Sequence, residues 1–65
     1  MPKINGADAA EAAGMTVRDY LMSKGYPLKL IAVELNGNIL PKSEYENYTI
    51  LDDDKLEVVT FVGGG

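Results

Sequence analysis

Alternation of apolar and polar residues marks the strands of this chain. Residues 30–35 (LIAVEL) carry alternate bulky apolar side chains on one face, which is typical of a half-buried strand. Residues 56–62 (LEVVTFV) alternate in the same way, with Leu56 and Val58 on the side expected to face the core. Residues 3–4 adjoin Asn5-Gly6, the strongest short hairpin signal, and residues 39–40 follow a predicted turn over 36–38 (NGN). All four segments are predicted to form strands.

A helix is predicted to begin after Thr16. The Thr16 hydroxyl can accept a hydrogen bond from the backbone N–H of Asp19, and an acid in the first turn suits the helix dipole. Val17 and Leu21 share one helical face and are the expected core anchors. Gly25 is expected to end the helix in a left-handed conformation.

Three other segments have weaker patterns. Residues 7–13 (ADAAEAA) have helical propensity, but they lie between glycines and lack a bulky apolar stripe, so we interpret them as a weak edge strand. Residues 42–48 form a polar connection whose tyrosines, Tyr45 and Tyr48, are expected to cover the end of the core rather than bind a ligand. The acidic run 52–54 is interpreted as a solvated turn, because calcium loops place their acids at alternate positions around a glycine.

The predicted order of elements is hairpin, helix, two further strands and a final strand. One helix must pack on one face of a small sheet, because each of them has a single apolar side. The fold class is therefore α+β: a β-grasp domain over residues 1–62, with a mixed sheet of four to five strands. Residues 63–65 are all glycine and are expected to be a flexible tail.

Composition limits the chemistry that the domain can perform. The 65 residues include neither cysteine nor histidine, which excludes a disulfide, a thiolate nucleophile, a histidine-based triad and a typical zinc site. The net charge of −4 disfavours nucleic acid, since phosphate contacts need clustered lysine and arginine. No apolar run approaches the roughly 20 residues that span a membrane, and the first residues lack the apolar core of a signal peptide. We expect a cytoplasmic protein that is a monomer when free.

Two surface features have more than one interpretation. Seven acids lie from Glu34 to Glu57, against two lysines. They either keep a small protein soluble or steer it toward a basic partner.

Val59 and Phe61 are apolar yet fall on the outer side of the last strand. Either a neighbouring loop covers them or they contact a partner.

The glycines Gly63, Gly64 and Gly65 are the candidate functional segment. Glycine packs no side chain, so a structural role after a β-branched strand is hard to find; a frayed end or an expression linker are the plain alternatives. A tail without Cβ atoms can instead thread a narrow channel into another protein's active site. Its terminal carboxylate is ionised and becomes reactive only as an acyl-adenylate, from which sulfide or persulfide can displace AMP. Without histidine or cysteine, the domain would rely on its partner for catalysis.

An ordered set of short motifs runs along the chain. It comprises residues 33–41 (VELNGNILP), Tyr45, residues 51–59 (LDDDKLEVV) and the ending 61–65 (FVGGG). This set resembles the ThiS family, the sulfur carriers of thiamin biosynthesis, and residues 4–17 are similar too. The chain departs from the family pattern in three ways. It has Asp53 before the last strand, at a position where glycine is frequent. Its second strand is rich in alanine, and it has one extra glycine at the end.

The resemblance implies a ubiquitin-like β-grasp fold and a set of roles. Gly65 would be adenylated by a ubiquitin-activating-like enzyme that uses ATP, and then thiocarboxylated with sulfur from a cysteine desulfurase. A thiazole synthase would receive the sulfur, and Gly63 and Gly64 would thread the partner's active site. The chain itself would be a carrier rather than an enzyme, with no bound cofactor or metal. The partner-facing end would comprise Val59, Phe61 and Val62.

Three other functions share parts of this pattern. The small subunit of molybdopterin synthase, or a carrier for another sulfur metabolite, would use the same tail chemistry. A ubiquitin-like modifier would be adenylated in the same way but joined to lysines of other proteins. An interaction module with an incidental glycine end would not need Gly64 or Gly65 at all.

Overall fold

Residues 1–61, which the computed structural model describes, form a five-stranded mixed sheet with a helix against it. In chain order the strands and the α-helix are β1 (Lys3–Ile4), β2 (Ala7–Asp8), α1 (Val17–Ser23), β3 (Ile31–Leu35), β4 (Asn38–Leu40) and β5 (Lys55–Thr60). The strands lie in the order β2-β1-β5-β3-β4; β1 and β5 run parallel, and the other neighbours are antiparallel. The predicted α+β class and β-grasp arrangement are confirmed.

Both predicted Asn-Gly turns form. Asn5 and Gly6 have φ angles of 51° and 83°, and Asn36 and Gly37 have φ angles of 52° and 88°. Two consecutive residues with positive φ define the turn that best matches the twist of a hairpin. The first turn joins β1 to β2, and the second joins β3 to β4. Asn38, which we assigned to the second turn, is already part of β4.

The helix begins and ends as its sequence predicts. The Thr16 hydroxyl oxygen accepts a hydrogen bond of 3.1 Å from the backbone N–H of Asp19. At the other end, Gly25 has a φ of 76°, and the N–H of Tyr26 donates to the Leu21 carbonyl at 3.0 Å. This arrangement satisfies a carbonyl that would otherwise lack a partner in the last turn.

The segment 7–13 differs from its prediction. The edge strand stops at Asp8, and Ala10–Ala12 form a 3-10 turn instead. Ala9 and Ala12 are three residues apart, and a 3-10 turn has three residues per turn, so both methyl groups can face the core. Both are buried, with Ala12 at 0% exposure. The prediction of a strand over the whole segment was wrong because these alanines pack inward.

One core joins the helix to the inner face of the sheet. Tyr45 is buried and Tyr48 is half-buried against this core, which confirms that their rings cover part of it. The core residues, all at 8% exposure or less, are Ile4, Ala9, Ala12, Val17, Tyr20, Leu21, Ile31, Val33, Tyr45, Ile50, Leu56 and Val58.

The acidic run before β5 does not form a uniformly solvated turn. Residues 52–53 are exposed as predicted, but Asp54 is buried at 5% exposure. Its Oδ2 accepts hydrogen bonds from the Tyr48 hydroxyl at 2.7 Å and from the Leu51 backbone N–H at 2.8 Å. Its Oδ1 accepts one from the Asn36 amide at 2.9 Å. The prediction was therefore wrong for Asp54, which is a buried hydrogen-bonded hub.

The hydrogen bonds at this hub determine how Asp54 titrates. Burial by itself would raise the pKa of the Asp54 carboxyl. The hydrogen bonds from Leu51, Asn36 and Tyr48 outweigh burial, and the pKa lies below its usual value. The hydrogen bond from the Tyr48 hydroxyl to Asp54 raises the pKa of that hydroxyl, because the bond to the carboxylate favours the protonated form.

The turn asparagines also bind β5. The Asn36 side-chain oxygen accepts a hydrogen bond from the backbone N–H of Lys55 at 2.9 Å, and the Asn36 N–H donates to the Lys55 carbonyl at 2.8 Å. The Asn5 side-chain oxygen accepts one from the N–H of Val58 at 2.7 Å. Both hairpin turns are therefore tied to the strand that leads to the C-terminal tail.

Replacement of Asp54 by asparagine is expected to lower the free energy of unfolding at pH 7 by about 1–3 kcal/mol. One oxygen that accepts hydrogen bonds would be replaced by an NH2 group that faces other donors. The folded pKa lies below the unfolded one, so the carboxylate stabilises the fold above the unfolded value of roughly 3.9. That contribution is lost as pH falls through the folded pKa.

The difference in unfolding free energy between wild type and Asp54→Asn should therefore shrink below about pH 4. Urea titrations followed by circular dichroism over this pH range measure it. Asp53→Asn, an exposed neighbour, serves as the control and should change little. A difference that stays constant down to about pH 2.5 would contradict the assignment of Asp54 as an ionised hub.

Adjacent helix residues provide a second test of the packing. Leu21 is fully buried, whereas Met22 is 55% exposed. Leu21→Ala is expected to lower the free energy of unfolding by about 2–5 kcal/mol through loss of burial and a residual cavity. Met22→Ala should change it by less than about 1 kcal/mol, as surface substitutions do. Equal losses in the two variants would show that the helix presents a different face to the sheet.

Candidate functional site

The candidate tail follows the end of β5. This strand ends at Thr60, and the backbone N–H of Phe61 donates to the Leu30 carbonyl at 2.6 Å. The bond continues the pairing of β5 with the start of β3 by one further residue. Four of the predicted site residues lie outside the described residues: Val62, Gly63, Gly64 and Gly65. Their roles, and the boundary between domain and tail, stay predictions.

Val59 and Phe61, by contrast, have a defined environment. Val59 lies opposite Ala32 on the outer face of the sheet, away from the helix, and is 51% exposed. Phe61 is 53% exposed at the end of β5. Within residues 1–61, no loop buries either side chain. Of the two interpretations of these residues, an accessible partner surface fits their exposure.

Two further apolar side chains extend this surface. Leu30, which binds Phe61 through its carbonyl, is 50% exposed, and Ile39 on β4 is 66% exposed. Ile39 lies opposite Glu34, which shares the outer face with Ala32. Isolated exposed apolar residues are common, but a contiguous group on a small protein indicates a contact site. We call Leu30, Ala32, Ile39, Val59 and Phe61 the sheet-face patch.

Two acids border the sheet-face patch. Glu34 on β3 lies directly opposite Glu57 on β5, on the same face as Val59. Like charges in directly opposed positions destabilise a sheet, by roughly 0.2–1 kcal/mol for a cross-strand pair. The acidic stretch from Glu34 to Glu57 is therefore partly gathered on this face, while its buried member, Asp54, is occupied by hydrogen bonds within the fold.

Sequence reasoning missed Leu30 and Ile39 as members of the surface. Strand periodicity could have found Ile39, because a hairpin with a two-residue turn sets which residues face each other. Alternation over residues 30–35 also places Leu30 on the outer face with Ala32, although Leu30 belongs to the 3-10 turn Leu28–Leu30 rather than to β3.

Among residues 1–61, no group of three acidic side chains lies in an arrangement that could hold a metal ion. Burial raises the pKa values of the Tyr20 and Tyr45 hydroxyls, so both are protonated near neutral pH. No helix in this part of the chain has the length and apolarity needed to cross a bilayer.

Comparison with known proteins gives a consistent set of matches. The sequence model of the ThiS family matches residues 3–65. The sulfur carrier protein ThiS of Bacillus subtilis is 36% identical over 66 residues, which cover 100% of both chains. A crystal structure of the thiamine biosynthesis protein ThiS from Geobacter metallireducens superposes with a TM-score of 0.77 and 30% identity, over 98% of this chain and 97% of that one.

A longer protein also contains a similar segment. The thiazole synthase of Paramagnetospirillum magneticum is 45% identical over 62 residues, or 95% of this chain. This chain spans only 19% of the length of that protein, so the likeness concerns a small part of it. The same holds for the thiazole synthase of Magnetococcus marinus, at 36% identity and 19% of its length.

Proposed function

The chain belongs to the ThiS family, and on this premise we propose that it is a sulfur carrier of thiamin biosynthesis that bears sulfur on the Gly65 carboxylate. The single observation that carries the proposal is that the family match runs to residue 65 and includes the three glycines. The B. subtilis carrier, which aligns over the full length of both chains, supports a terminal role for Gly65.

The proposed chemistry has two steps, both catalysed by partners. The Gly65 carboxylate first attacks the α-phosphorus of ATP, which forms an acyl-adenylate and releases pyrophosphate. Hydrosulfide, or a sulfur donor equivalent to it, then attacks the acyl carbon, and AMP leaves. The product is a thiocarboxylate, a soft nucleophile at the end of the glycine tail formed by Gly63, Gly64 and Gly65.

In this proposal the chain positions the reactive carboxylate, and its partners catalyse the reactions. It has neither histidine nor cysteine, the usual general base and sulfur nucleophile. As the family resemblance implies, an adenylating enzyme would bind ATP, and a cysteine desulfurase or another donor would supply the sulfur. Val59, Phe61 and Val62 would contact these enzymes next to the tail. We propose that the domain holds no cofactor of its own and is a carrier rather than an enzyme. A cytoplasmic location and a monomeric free state stay predictions.

A thiazole synthase is the proposed acceptor of the sulfur. Two proteins named thiazole synthase contain a segment similar to this chain, which supports a functional association between the two activities. The names of the relatives favour thiamin over molybdopterin as the pathway. A ubiquitin-like modifier would give ladders of higher-mass conjugates on immunoblots of cell extract, and a pure carrier would not.

The carrier proposal has a direct mass test. The purified chain, incubated with its activating enzyme, ATP and sulfide, should gain the mass difference between one sulfur and one oxygen atom, as measured by intact-mass spectrometry. Deletion of Gly64 and Gly65 should abolish this gain and leave the urea midpoint unchanged, because terminal glycines have no side chains to pack. An unchanged mass for the wild type would exclude the thiocarboxylate. A midpoint that falls on deletion would exclude a purely chemical role for these glycines.

The partner role of the sheet-face patch has a separate test. Phe61→Ala is expected to raise the KM of the activating enzyme for this chain by about tenfold, since aromatic residues in an interface centre often dominate binding. Leu51→Ala is the matched control, because Leu51 is 59% exposed and lies outside the patch. It should change KM by less than about twofold. Equal KM values for the two variants would exclude Phe61 from the interface.

A further inference from the structure

A groove of about 280 Å³ lies at the end of the sheet where β3 begins and where β4 and β5 end. Its walls come from the first turn of α1, from the 3-10 turn before β3 and from the turn after β4. The groove is lined by Arg18, Leu28, Lys29, Lys42, Tyr45 and Glu46.

The charge of the groove is opposite to that of the protein. Three of the six basic residues of a chain with net charge −4 line it, with Glu46 as the acid among them. The Arg18 guanidinium lies 3.8 Å from the Glu46 carboxylate. The Lys42 Nζ donates to the Lys29 carbonyl at 3.3 Å, which draws Lys42 toward Lys29. The lining therefore has a local charge of about +2, from three cations and one carboxylate.

The groove also has an apolar part. Leu28 is half-buried and Tyr45 is buried, and burial raises the pKa of the Tyr45 hydroxyl, which is neutral at pH 7 even without that shift. Sites for small molecules usually have volumes of about 300–1,000 Å³, so this groove is at or below the lower limit. It fits one or two protein side chains better than a cofactor.

The position of the groove connects it to the tail. Leu30, which directly follows Lys29, binds the backbone of Phe61, the last described residue. An enzyme that works on Gly65 therefore approaches this end of the sheet. It would meet the basic groove and the Leu30–Phe61 end of the sheet-face patch, with the acids Glu34 and Glu57 farther along the outer face.

We infer that this groove receives an acidic side chain with an apolar flank from the activating enzyme, with Lys29 and Lys42 as counter-charges. The inference rests on the proposed function, because it assigns a docking site to that enzyme. Adjacent surfaces of opposite charge have a specific use here. They oppose a reversed docking orientation, since reversal would bring like charges together.

The test compares two lysine variants with the same change in net charge. Lys29→Glu places a carboxylate in the groove, whereas Lys55→Glu places one at the opposite end of β5. Lys29→Glu should raise the KM of the activating enzyme for this chain by about tenfold with kcat unchanged, and Lys55→Glu by less than about twofold. Lys29→Arg should retain the wild-type KM because it keeps the charge. Urea midpoints confirm that each variant is folded, as expected for exposed side chains.

Salt provides a second measurement. The KM of the wild type should rise with sodium chloride, and the KM of Lys29→Glu should rise less steeply, because one attractive ion pair is missing. If the wild type is adenylated but Lys29→Glu and Lys55→Glu have equal KM values, the groove inference is overturned and the carrier function stands. If the wild type is never adenylated, both are overturned.

Discussion

The Asp54 carboxylate is hydrogen-bonded to three other parts of the chain. It accepts hydrogen bonds from the Asn36 hairpin turn, from Tyr48 in the long connection and from the backbone of Leu51. Each bond restrains the chain just before β5, the central strand of the sheet. A buried charge is tolerated only when its hydrogen-bonding capacity is met, and here both oxygens are occupied. The hub therefore contributes to fixing where β5 begins.

The two ends of β5 have different tasks. Its first residues are tied to both hairpin turns through Asn5 and Asn36, whereas its last residues lie among exposed apolar side chains. In the proposed carrier, a rigid β5 would give the tail a defined starting point, and the accessible surface beside that point would let a partner recognise the domain before it engages Gly65. This separation fits a protein whose chemistry is carried out by others, because recognition and stability do not compete for the same residues.

Most of the fold was predictable because its signals are local. The Asn-Gly turns, the Thr16 cap and the Gly25 helix end each depend on a few neighbouring residues, and strand alternation set the faces of β3 and β5. The errors concern contacts between distant segments. The burial of Asp54 depends on hydrogen-bond partners that lie up to 18 residues away in sequence. The alanines of residues 7–13 form a 3-10 turn because their methyl groups pack into the core, and not a strand as predicted. The outward position of Val59 and Phe61 was predictable from alternation, whereas the basic groove unites three segments that no local pattern connects.

The Asn36-Gly37 turn also has a consequence for the chemical lifetime of the protein. A glycine after asparagine leaves the next backbone nitrogen unhindered, so it can attack the side-chain amide and release ammonia. Water then opens the cyclic imide to aspartate or isoaspartate, which would place a carboxylate where the amide now donates to Asp54 at 2.9 Å. Two carboxylates would then face each other at a partly buried contact, which disfavours the ionised form of both. Deamidation at Asn36 would therefore break its hydrogen bond to Asp54 and weaken the hub.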